Sequence, residues 1–160
     1  MELSSLIMGL VFIAIIALPV IIMSRSGKQQ KKALMQRYQA ICTNLGLHIA
    51  QPDKWNDLVL GMDEKARKLL YYKDSLTGGQ HILLDLNQVL SARKINIGRN
   101  GNTNSGAVNV IDMLGIEVAL KNGQSPVTLE FYHSKQSFNL SNELELVDKW
   151  TKAILEMAKR

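Results

Sequence analysis

Residues 6–23, LIMGLVFIAIIALPVIIM, carry no charged and no polar side chain. A helix rises about 1.5 Å per residue, so a stretch of this length reaches about 27 Å, close to the roughly 30 Å hydrocarbon core of a bilayer. A helix apolar on every side has no face to give to water. The stretch therefore predicts a transmembrane helix, with Pro19 tolerated inside it as a local kink. The preceding MELSS has one acid and no base, and neither an A-x-A site nor a lipobox cysteine follows. A retained anchor is expected rather than a cleaved signal peptide.

Charge placement sets the expected orientation. Arg25, Lys28, Lys31, Lys32 and Arg37 all follow the apolar stretch, and residues 24–52 contain no acid. Residues 53–160 hold the other 14 of the 19 basic residues and 13 of the 14 acidic ones, so the whole excess lies beside the apolar segment. A basic flank predicts a single-pass protein of the inner cell membrane, with the N-terminus outside and the C-terminal domain cytoplasmic. The bilayer would then be one partner. The expected division is an anchor at 1–26, a juxtamembrane amphipathic helix at 27–46 and a folded domain at 47–160.

Between Lys28 and Leu45, apolar residues recur at Leu34, Tyr38, Ile41, Cys42 and Leu45, the stripe of an amphipathic helix, with Gly46 as its stop. Cys42 sits on that stripe, which suits a small core residue better than a reactive thiol. As the lone cysteine it forms no internal disulfide.

After Pro52 the hydrophobic period changes from helical to two. WNDLVLGMD, RKLLYYKD, HILLDL and Val89–Ile97 read as strands, with a short DEKA turn after the first and a Gly-Gly loop before the third. Residues 98–109, GRNGNTNSGAVN, read as a long loop rich in Gly, Asn and Ser. Val110–Leu120 and VTLEFY follow as strands around an Asn122-Gly123 turn. A last amphipathic helix carries Val147, Trp150, Ile154 and Met157 on one face, with Asn142 and Glu145 spaced as a capping pair.

These segments resemble a pleckstrin-homology-like (PH-like) domain, here of the membrane-anchored bacterial kind. The residues that carry the resemblance are WNDLVLGMDEKARKLLYYK, ILLDLNQVLSARKIN, VTLEFYHS and ELVDKW, within residues 55–160. The family has seven strands and six are counted here. The seventh is expected between Leu47 and Gln51 or across the 98–109 loop. The resemblance implies an α+β fold: a PH-like half-barrel of antiparallel strands capped by a C-terminal helix, behind the single N-terminal transmembrane helix.

It also implies binding without catalysis, in which a scaffold or adaptor engages a protein or a lipid headgroup at the membrane. In lipid-binding members basic residues flank the first turn. Lys65, Arg67 and Lys68 stand there, next to Asp63 and Glu64, and join Arg25, Lys28, Lys31 and Lys32 as candidate headgroup contacts. No catalytic, cofactor or metal site is expected. His48, His81 and His133 lie far apart, and no GxGxxG or phosphate-loop lysine is present. Balanced charge beyond residue 53 argues against nucleic acid. The alternative function is a small accessory subunit of a larger membrane complex; Gly9, Ala14 and Ala17 of the apolar stretch offer small residues for helix packing but form no small-xxx-small motif.

Overall fold

A computed structural model describes residues 29–75, 78–103, 106–135 and 142–160, and the side chains of 100–109 and 122 are outside that description. The chain divides into two units after Gly46.

The first unit contributes helix α1, residues 29–44. Leu34, Tyr38 and Cys42 are its buried side chains, spaced four apart as the stripe requires, while Leu45 is exposed. Burial pushes both the Cys42 thiol and the Tyr38 phenol above their ordinary ranges. The helix stops where expected. Gly46 sits at φ +64°, a conformation costly to any residue with a Cβ, and its N–H donates to the Thr43 carbonyl at 3.2 Å.

The second unit is built from two antiparallel sheets and a helix. The first sheet runs in the order β1 (Asp53–Trp55), β2 (Leu58–Asp63), β3 (Lys68–Lys73), β4 (Gln80–Asp85). A one-turn 3-10 helix, Leu86–Gln88, leads into the second sheet: β5 (Val89–Thr103), β6 (Gly106–Leu120), β7 (Val127–His133). Helix α2, Glu143–Lys159, closes the chain.

One apolar cluster ties the three layers together. Leu60, Leu69 and Tyr71 enter it from the first sheet, Leu114, Ile116 and Leu129 from the second, and Val147, Trp150 and Ile154 from α2. Each of these sheet residues is at most 4% exposed, the burial expected where two sheets and a helix share one core. Trp150 also fixes the helix by a polar contact, its indole N–H donating to Asp53 Oδ2 at 2.9 Å.

Several expectations are corrected. Among the described residues no helix is long and apolar enough to cross a membrane. Helix α1 carries Lys31, Lys32 and Arg37, and α2 has a charged face that includes Asp148, Lys149 and Lys152, so neither can serve as a span. The single-pass architecture, the transmembrane assignment and the inner-membrane placement are therefore withdrawn. The segment at 6–23 that suggested them lies outside the described residues.

Residues 98–103 and 106–109 are strand rather than loop. β5 and β6 each run for 15 residues, and their ladder continues through Gly98↔Ile111 and Asn100↔Asn109 to Thr103↔Gly106. The main-chain ladder extends from an apolar base already in register, and strand propensity is too weak to stop it. Two irregularities interrupt the β5–β6 ladder: one between Val89 and Ser91, where Leu90 is the extra residue on β5, and one between Ile97 and Gly98, where Asp112 is the extra residue on β6.

The seventh strand is β1, in neither expected place. It occupies Asp53–Trp55, turns at Asn56 (φ +47°) and pairs with Leu58–Leu60. Three residues are too few to display a period. At the start of α2, Asn142 takes the N-cap position without a side-chain cap hydrogen bond, so the expected capping pair does not form.

Candidate functional site

A cleft of about 470 Å³ opens where β3 and β4 face β6 and β7. The volume falls within the roughly 300–1,000 Å³ of ordinary ligand sites. Strand alternation aims Tyr71 and Lys73 of β3 at it, and the register places their partners Ile82 and Gln80 of β4 beside them. Thr128 and Glu130 of β7 form the opposite wall with Met113 of β6, and Ser75 stands at the β3–β4 connection.

Two contacts organise the cleft. The Tyr71 hydroxyl donates to the Glu130 carbonyl at 2.6 Å. Lys73 Nζ meets Glu130 Oε1 at 2.5 Å, with the two side chains 15% and 28% exposed. Burial, with the Glu130 carboxylate nearby, pushes the Tyr71 phenol well above its ordinary range, so it stays a donor. Lys73 and Glu130 offset each other across the gap between sheets. The cleft thus offers an apolar patch from Ile82 and Met113, neutral polar groups from Gln80 and Thr128, and one internally paired charge couple.

The headgroup candidates lie elsewhere. Arg25 and Lys28 are outside the described residues, and Lys31 and Lys32 are exposed in the first turns of α1. Lys65 and Arg67 lie in the β2–β3 turn and Lys68 opens β3, but Arg67 turns inward and its Nη2 donates to the Met157 carbonyl of α2 at 2.6 Å. The acidic member Asp63 organises that turn, accepting from the backbone N–H of Ala66 at 2.9 Å and of His48 at 2.7 Å. These donors, Ala66 first, hold its carboxyl below the usual aspartate range. Of the three basic residues here Lys65 is exposed, while Arg67 and Lys68 are partly buried.

The cleft residues were not singled out by sequence reading. Lys73 and Glu130 are 57 positions apart, and nothing local marks them as partners. The one available signal was the alternation that sets Tyr71 on the same face as Leu69. His81 and Arg93 do not line the cleft, and Arg93 pairs with Glu117 at 2.6 Å on the second sheet. Among the described residues no three His, Cys, Asp or Glu side chains gather to hold a metal. No family model, curated protein or solved structure matches the chain.

Proposed function

We propose that the chain is a PH-like recognition module, a scaffold or adaptor that binds a protein partner rather than transforming a substrate. The order of elements supports the fold part of this reading: four antiparallel strands, three more, and a closing helix anchored by Trp150. The function part rests on the cleft. Its phenol is held protonated and bonded to a carbonyl, and its lysine is bonded to its glutamate. Groups committed in this way define a shape and a hydrogen-bonding pattern, and they leave no activated nucleophile or poised base.

The test is quantitative affinity capture from the parent cell with the full-length protein, beside Lys73→Glu and the exposed control Lys152→Glu. A partner in near-stoichiometric amount is expected with wild type and control and is lost with Lys73→Glu, where two carboxylates face each other in the cleft. Identical capture by all three proteins refutes a recognition role for the cleft.

A further inference from the structure

We propose that the free edge of β7 is a docking edge for an extended, uncharged peptide segment, which enters the cleft and pairs with the main chain of Thr128 and Glu130. This rests on the reading above and names its ligand. Among the described residues β7 has β6 as its only strand neighbour, so one side of its backbone is not paired to a strand there. The Tyr71–Glu130 contact identifies which groups face that side. Because the Glu130 carbonyl reaches the phenol on β3, the main chain of Glu130 points away from β6 and toward the cleft.

In an antiparallel strand the N–H and C=O of one residue point the same way, and the direction alternates along the chain. Thr128, two residues back, therefore also aims its N–H and C=O at the cleft, while Leu129 between them turns to its partner Ile116 on β6. The Glu130 carbonyl already accepts the Tyr71 hydroxyl, so the Glu130 N–H and the N–H and C=O of Thr128 are the groups that another extended backbone would match.

The cleft walls restrict what that backbone carries. Among the described residues Lys73 and Glu130 are the only charged ones lining the cleft, and they satisfy each other. A charged ligand side chain would lose water and gain no free counter-ion. An apolar side chain would cover Ile82 and Met113 instead. The other long edge, β5, is guarded differently. Arg93, Lys94 and Arg99 stud it, bridged to Glu117, Asp148 and Asp112, and charges on an edge strand oppose pairing with another chain.

The test pans the full-length protein against a displayed library of random peptides, then measures binding and amide hydrogen exchange with the recovered sequences. Apolar, low-charge peptides are expected, with exchange slowed at the Thr128 and Glu130 amides. Thr128→Pro removes a cleft-facing N–H without touching the β6 ladder and should weaken binding about tenfold, the equivalent of one good hydrogen bond. If Thr128→Pro does not fold, Gln80→Trp, which fills the cleft from an exposed position, takes its place. Wild-type affinity in these variants, protection on β4 or β5 instead, or no recovered peptide overturns the inference. The recognition reading falls separately, by the capture experiment.

Discussion

Arg67 reaches from the β2–β3 turn to the last turn of α2, where its Nη2 lies 2.6 Å from the Met157 carbonyl. The residue stands at φ +53°, in the left-handed region. A guanidinium at a helix C-terminus satisfies an orphan carbonyl and meets the negative end of the helix dipole. A position read from sequence as a ligand contact is thus a bolt between turn and helix.

Two substitutions separate the bolt from the backbone. Arg67→Ala should lower unfolding free energy in urea by about 1–2 kcal/mol through the lost charged hydrogen bond. Arg67→Gly should cost less, because glycine recovers about 1 kcal/mol of left-handed strain. Equal losses would mean that the backbone conformation contributes nothing.

Asp53 accepts from Lys149 Nζ at 2.5 Å and from the Trp150 indole at 2.9 Å, joining β1 to α2. Asp53→Ala leaves the indole N–H of the buried Trp150 without its acceptor and should cost about 1–3 kcal/mol. Trp150→Phe removes the donor and part of the packing. A double-mutant cycle should give a coupling of about 1 kcal/mol, and additive losses would place the indole bond outside the stability of the fold.

Asp63 should make stability depend on acid. Its folded-state carboxyl titrates below the usual aspartate range because backbone N–H groups of Ala66 and His48 bond the charged form. The stabilisation is complete above the unfolded value of about 3.9 and is lost as pH falls through the folded value. Urea midpoints measured downward from pH 5 should drop for wild type and drop less for Asp63→Asn. Parallel curves would refute the assignment.

Gly115 pairs with Glu130 beside a register irregularity between β6 and β7. A Cβ there would stand 2.6 Å from the Leu129 carbonyl oxygen, a main-chain atom that cannot move without its strand. Gly115→Ala should destabilise the domain by about 1–3 kcal/mol, the usual cost of overpacking. A neutral effect in thermal unfolding would show that β7 can yield.

The long β5–β6 hairpin makes a direct prediction for hydrogen exchange. Amides in 98–103 and 106–111 that point across the ladder should exchange more slowly than those in the β3–β4 connection. Uniformly fast exchange through both segments would restore the loop reading.

The alternation of Leu58 and Leu60, and of Leu69 and Tyr71 against Leu70 and Tyr72, was enough to place β2 and β3, but not to say that both faces of β3 are buried. The stripe of Val147, Trp150, Ile154 and Met157 placed α2. Periods of this kind are local properties, set by which side of an element must leave water. The end of α1 was equally legible, because Gly46 supplies a conformation that other residues resist.

What only the tertiary structure decided is the pairing across distance. The Gly- and Asn-rich residues 98–109 carry no strand signal, and it is a partner in register that makes 98–103 and 106–109 strands. Arg67 is a basic residue like Lys65 until Met157 comes within reach, and Lys73 finds Glu130 only when two sheets converge. Local chemistry is written in neighbouring residues, whereas hydrogen bonds and ion pairs between distant ones exist only after the backbone has brought them together.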